Sequence, residues 1–182
     1  LVLLALLTGG LHLDGLADSA DGLFHPGGTL RRLEIMRDSR VGSHGVAAVV
    51  LVVLTQYAAL SAVGPAGRPI ALLVGPALAR WAQVLLIWWF PYGRPEGRGT
   101  PFTGPGKVGR AISATVIVVA LTAALHPYAV MLALAVAVVT RAWGSLVLRQ
   151  LPGLTGDTYG AGSELALLAV LLLCAAYWPA AH

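Results

Sequence analysis

The run VAAVVLVVLTQYAALSAV, residues 46–63, is eighteen positions without a charge and ends on the turn sequence Gly64-Pro65-Ala66-Gly67. At a rise of about 1.5 Å per residue such a helix is about 27 Å long, close to the hydrocarbon thickness of a bilayer. Further spans are expected on both sides of it. Ile70 to Phe90 is interrupted only by Arg80 and closes on the aromatic pair Trp88-Trp89, a residue type that favours the membrane interface. Ala111 to Leu125, starting a few residues earlier, is separated by His126-Pro127 from Tyr128 to Leu148. A last apolar stretch, Leu165 to Trp178, lies between Glu164 and Pro179. Leu1 to Leu7 is apolar, with neither an initiator methionine nor a basic segment ahead of it. That argues against a signal peptide, and the chain is expected to start inside a membrane helix.

Composition agrees with these spans. Of 182 residues, 57% are hydrophobic and 11% charged, and mean hydropathy is +0.78, against roughly 25% charged in soluble domains. A soluble domain and a disordered chain are both excluded. The expected fold is all-α: one polytopic membrane bundle over residues 1–182, with about six transmembrane helices, the first truncated. The net charge of +4 rests on 12 Lys and Arg scattered through short connections, a pattern of positive-inside loops and not of a nucleic-acid partner. The lone cysteine, Cys174, lies in an apolar run, so no intrachain disulfide, cysteine metal site or redox chemistry is expected.

The loops differ in chemistry. Residues 14–45 hold Arg31, Arg32, Arg37 and Arg40; residues 91–110 hold Arg94, Arg98, Lys107 and Arg110; Arg149 opens residues 149–163. The intervening turns are nearly free of basic residues, so these three connections are expected to share the cytoplasmic side. They also contain nearly all of the eight acids, which points to one site facing the cytoplasm.

The densest chemistry lies in HLDGLADSADG, residues 12–22. On a helix Asp14, Asp18 and Asp21 fall at i, i+4 and i+7 and share one face. Three carboxylates on one face repel unless a cation lies among them, and oxygen-only ligands suit a hard ion such as Mg2+. A solvated face would explain the spacing in a soluble protein; beside a membrane helix, in a chain with so few acids, the metal is preferred. The chain continues through Arg37, Asp38 and Arg40, adding another acid and guanidinium forks of the kind that hold phosphate. Carboxylates, a divalent ion and arginines together are the apparatus of phosphoryl transfer. Residues 91–110 sum to +3, so Arg98 would help draw an anionic substrate. Gly156 and Asp157, in a glycine-rich segment, would approach the ligand from the far loop. Arg80 and Arg141 lie inside spans, where an ionisable group is costly. His12 and His44 are read as structural.

Three ordered motifs, GGLHLDGLADSADGL (residues 9–23), EIMRDSRVG (34–42) and LTGD (154–157) followed by Gly160-Ala161, resemble the cobalamin synthase family. The resemblance implies an integral enzyme of the bacterial inner membrane, with its active site facing the cytoplasm. It implies Mg2+-dependent joining of adenosylcobinamide-GDP to α-ribazole or α-ribazole 5′-phosphate, releasing GMP, late in vitamin B12 synthesis. By motif, Asp14, Asp18, Asp21 and Asp38 would be metal ligands or the base, with Arg37, Arg40, Gly156 and Asp157 contacting substrate. Leu167 stands where a second acid after Glu164 would be expected in many relatives. Oligomerisation is left open. A CDP-alcohol phosphotransferase is the nearer alternative, but its Asp-Gly motif requires Ala-Arg after two residues, and Ala17-Asp18-Ser19 departs from that. A cation transporter is the other, with midplane carboxylates and broken helices that this sequence lacks.

Overall fold

Thr155 starts the helix on which the structure is built. Its hydroxyl accepts from the Thr158 amide at 3.3 Å, and the Thr158 hydroxyl accepts from the Thr155 amide at 2.8 Å, a reciprocal cap that satisfies two backbone donors. The computed structural model describes residues 1–94, 102, 104 and 106–180. Its helices are α1 (Val2–Leu7), α2 (Leu11–Phe24), α3 (Thr29–Ile35), α4 (Ser43–Ala62), α5 (Arg68–Trp89), α6 (Lys107–Leu125), α7 (Tyr128–Leu148) and α8 (Gly156–Tyr177). Among the described residues α4, α5, α6, α7 and α8 are long and apolar enough to cross a membrane. The short α1 stands where the sequence placed a truncated first span. The chain is an all-helical, multi-pass membrane bundle.

One sequence expectation is corrected. Residues 149–163 are not all loop: α8 begins at Gly156, two turns before the apolar stretch that marked it. Its glycines serve packing. A Cβ on Gly160 would come 3.2 Å from the His12 Cα, and one on Gly162 would come 2.6 Å from the Leu86 side chain. Small residues at such positions let helices approach closely. Within residues 14–45, α2 is the helix that the acid spacing predicts, and α3 follows it. The inner face of α2, with Leu16, Ala17, Ala20 and Leu23 buried, packs against α8 and α4. Gly9 and Gly10 (φ 58° and 72°) make the left-handed turn that directs α1 into α2.

Helix α8 is the axis, in contact with α2, α4, α5 and α7, while α6 packs outside on α5 and α7. Ala71, Val74, Leu78, Leu85, Val136 and Val170 close the core among α5, α7 and α8. The outer helices turn Leu51, Leu54, Val116, Ile117, Leu134 and Val138 outward. In a bilayer that apolar surface meets lipid, and helical backbone bonding keeps the peptide groups satisfied.

Charges inside the spans are partnered. Arg80 on α5 donates to the Ser163 hydroxyl at 2.5 Å, and Ser163 donates to the Ala79 carbonyl at 2.9 Å. Gln56 on α4 donates to the Glu164 carboxylate at 2.9 Å. Arg141 is exposed near the end of α7, its guanidinium 4.9 Å from the Phe90 ring centroid, a cation–π distance.

Helices α2 and α8 cross backbone to backbone. A Cβ on Gly15 would lie 2.6 Å from the Asp157 carbonyl oxygen and 3.1 Å from its Cα, so backbone meets backbone and neither can give. Gly15→Ala is expected to destabilise the protein by about 1–3 kcal/mol, read as a lower melting temperature in detergent. Gly28→Ala, where nothing lies within 4 Å, should leave melting unchanged. Equal melting temperatures for the two variants would remove the crossing as a constraint.

Candidate active site

Where α2 crosses the start of α8, a water-open cleft of about 750 Å³ is lined by Asp14, Asp18, Arg37, Asp38, Arg94 and Asp157, with Gly156 on its edge. The α2 helix is real, so the expected spacing does place Asp14 and Asp18 together, one turn apart and facing α8. Asp157 joins them because Gly15 lets the first turn of α8 come in.

Arg94 is held there by the chain around it. Gly93 N donates to the Leu154 carbonyl at 2.7 Å and Leu154 N donates to the Pro91 carbonyl at 2.9 Å, a parallel bridge between Tyr92 and Leu154. Gly93 and Gly153 meet so closely that a Cβ on Gly93 would lie 2.4 Å from the Gly153 carbonyl oxygen. This stitch leaves Arg94 Nη2 3.0 Å from Asp157 Oδ2, with side-chain exposures of 11% and 19%. Arg94 Nε is buried without a hydrogen-bond partner. The sequence placed Arg94 only among the basic residues of its loop. Its pairing depends on a contact more than sixty positions away, which no local pattern announces. Arg98, expected in the same loop, lies outside the described residues.

The other acids take different places. Asp21 accepts from the amides of Gly42 at 2.7 Å and Gly45 at 2.8 Å, capping the start of α4, whose own N-cap, Gly42, has no side chain to do so. Cβ atoms at Gly42 and Gly45 would each come 2.4 Å from the Asp21 carboxylate oxygens, so these glycines make the seat. Asp38 lines the mouth of the cleft and is paired with Arg40, Nη2 to Oδ2 at 2.7 Å and Nε to Oδ1 at 3.0 Å. That Arg40 side chain is 87% exposed and is turned onto Asp38. The pairing holds the Asp38 carboxyl down at about 2. Arg37 is exposed on the cleft wall. Arg32 fixes this segment below, donating to the His25 carbonyl at 3.1 Å and to the Gln150 side chain.

Burial, reinforced by the negative charges of Asp14, Asp157 and Asp21, raises the Asp18 carboxyl from 3.8 to about 7, with Arg94 opposing the shift. His12, one turn before Leu16 on the inner face, is lowered to about 4 by burial and by Arg80. It is a neutral imidazole at neutral pH.

Asp14, Asp18 and Asp157 could hold a hard cation. Among the described residues no three acids, histidines or cysteines are gathered closely enough to form a complete metal site. Mg2+ commonly takes one or two carboxylates and completes its shell with water and substrate phosphate. The donors are all oxygen, and the raised Asp18 carboxyl marks negative charge that a cation would offset. The residues present therefore fit the ion.

Because Asp18 binds its proton more tightly folded than unfolded, its contribution to stability is present below 3.8 and is lost as pH rises towards about 7. Metal-free protein is expected to melt at progressively lower temperature across that range, and Asp18→Asn should flatten the profile. An unchanged slope in the variant would show that Asp18 is not the group responsible. Asp21→Ala should cost about 0.5–2 kcal/mol near neutral pH, as for a lost helix cap, read as a lower melting temperature, whereas Asp14→Asn should not.

A family model described as Cobalamin-5-phosphate synthase matches residues 1–175. A relative from Shigella boydii serotype 4 (strain Sb227) is 44% identical over 179 residues, covering 94% of this chain and 71% of the relative. One from Escherichia coli O9:H4 (strain HS) is 43% identical with the same coverage. Both are named adenosylcobinamide-GDP ribazoletransferase. No solved structure matches. With a helical membrane bundle carrying the three motifs and a family match along nearly its whole length, the chain belongs to the cobalamin-5-phosphate synthase family.

Proposed function

We propose that this protein catalyses Mg2+-assisted phosphoryl transfer from adenosylcobinamide-GDP to a hydroxyl of α-ribazole or its 5′-phosphate, with GMP as the leaving group. The observation that carries the reading is the cleft itself. Two carboxylates from α2, one from α8 and a nearly buried arginine with a spare donor face the same space. The names of the relatives supply the substrate classes; the cleft supplies groups suited to joining them.

In this mechanism Asp14 and Asp157 are the carboxylates that would hold the ion, with Asp18 beside them. The ion, when bound, neutralises the diphosphate oxygens and the charge that builds on the leaving group. Asp18 accepts the proton of the attacking hydroxyl, a task suited to a carboxyl poised near neutrality. The new O–P bond forms at the phosphorus nearer the cobinamide as the P–O bond to GMP breaks. Arg94 offers its free Nε–H to a phosphoryl oxygen and steadies Asp157, and Arg37 on the exposed wall receives the nucleotide phosphate. Asp21 serves the reaction through α4, fixing Gly42 and the segment before it. Asp38 and Arg40 shape the mouth as a pair.

Membrane placement supports the same reading. Arg31, Arg32, Arg37, Arg40, Arg94 and Arg149 cluster at the cleft end of the bundle, while the opposite end has Arg68, which donates to the Val63 carbonyl at 3.1 Å. By the positive-inside rule this asymmetry supports a cleft that faces the cytoplasm, and the proposal takes the membrane to be the bacterial inner membrane.

The test is GMP release by purified protein from adenosylcobinamide-GDP and α-ribazole, abolished by chelation and restored by Mg2+. Asp14→Asn and Arg94→Lys should each lose about a hundredfold or more in turnover, in line with removal of a charge-stabilising group. Arg40→Lys should stay within about threefold, since its partner is a surface carboxylate. No GMP from the wild-type protein would overturn the reaction. Equal, mild losses for Arg94→Lys and Arg40→Lys would remove Arg94 from it.

A further inference from the structure

Behind the acid cleft lies a second cavity of about 130 Å³, bordered by Leu11, His12, Gln83, Ile87 and Tyr159 and sharing Gly156 and Asp157 with the cleft. His12 comes from α2, Gln83 from α5 and Tyr159 from α8. His12 and Tyr159 are 9% and 5% exposed. His12 Nδ1, Gln83 Nε2 and Tyr159 Oη are all buried, and none has a hydrogen-bond partner.

Leaving a buried polar group unsatisfied costs about 1–3 kcal/mol. Three such groups, from three helices, bordering one small cavity amount to a recognition surface awaiting a ligand. Their chemistry limits what it is. Asp157 at the entrance disfavours an anion, so a phosphate belongs in the outer cleft and not here. Leu11 and Ile87 supply apolar walls, and the polar groups offer hydrogen bonds without a fixed cationic partner. The volume is well below the ~300–1,000 Å³ of a whole-ligand pocket, and matches about four waters at ~30 Å³ each or a single fused ring.

We infer that this cavity binds the neutral heteroaromatic base of the acceptor nucleoside, its ring nitrogen accepting from Tyr159 or Gln83. The inference rests on the acceptor role given to α-ribazole above. It adds the position of that substrate: with the base inside, the sugar lies at Gly156 and Asp157, and its hydroxyl is presented to Asp18 and the donor phosphate in the outer cleft. Gly156 and Asp157 line both spaces, which connects the base to the outer cleft.

Binding is measured by equilibrium dialysis of detergent-purified protein against benzimidazole, α-ribazole and D-ribose, with no donor substrate present. Benzimidazole and α-ribazole should bind and ribose should not. Tyr159→Phe and Gln83→Leu each keep side-chain volume close to the original, and the one that removes the donor to the ring nitrogen should weaken both ligands by about three- to tenfold, the range of one lost hydrogen bond. In turnover assays that variant should raise KM for α-ribazole while leaving KM for adenosylcobinamide-GDP and the saturating kcat unchanged. No benzimidazole binding, or binding that neither variant alters, overturns the inference and leaves a water-filled cavity. Ribose binding alone overturns it in favour of a sugar site. KM values that rise together for both substrates would assign His12, Gln83 and Tyr159 a structural part only. Failure of the reaction itself is a separate result: wild-type protein would release no GMP, while benzimidazole binding and its loss in the variants would still stand.

Discussion

Everything at the cleft depends on how closely α2 and α8 approach. Gly15 lies against the Asp157 backbone and Gly160 against that of His12, so each helix has a glycine where the other comes nearest. Packing without Cβ atoms brings two helix axes closer than leucine-lined faces allow. Here it carries Asp157 to within electrostatic reach of Asp14 and Asp18. The cost is repulsion among carboxylates, expressed in the raised Asp18 carboxyl. Two features ease it: Asp157 lies in the first turn of α8, where the helix dipole favours negative charge, and Arg94 stands beside it.

The chain's acids look alike in sequence and are separated by what each one touches. Asp21 has both oxygens occupied by amides of the α4 start, and Asp38 has both occupied by Arg40. Asp14 remains exposed at the cleft, with Asp18 and Asp157 half-buried there. An oxygen already holding short hydrogen bonds has less to offer an incoming ion or hydroxyl, so open coordination is concentrated on those three.

Much of the architecture was legible because hydropathy reports what faces lipid. Val46 to Val63 and Tyr128 to Leu148 correspond closely to α4 and α7. The start of α8 was not legible. Gly156, Gly160 and Gly162 have poor helix propensity and resemble a loop until the neighbours that fill the space beside them are known. The i, i+4, i+7 spacing found α2 and its acids, but spacing alone does not distinguish Asp21, whose partners Gly42 and Gly45 lie more than twenty residues on. Arg94 was visible only as charge, because the bridge between Tyr92 and Leu154 that aims it is long-range. The family motifs point to the neighbourhood of the site; division of labour within it comes from tertiary contacts.

Helix α8 also distinguishes a structural polar group from a chemical one. Asp157 and Ser163 are six residues apart, about 9 Å along the axis. At the deeper level Ser163 and Glu164 meet Arg80 and Gln56 in hydrogen bonds, so charged groups at bilayer depth have polar partners and the network fastens α4 and α5 to α8. At the cleft level Arg94 keeps an unused donor and Asp18 a displaced proton affinity. Both levels have ionisable groups drawn from several helices. The bonding capacity left unspent at the cleft lies where the bundle opens to water, and a charged substrate can complete it there.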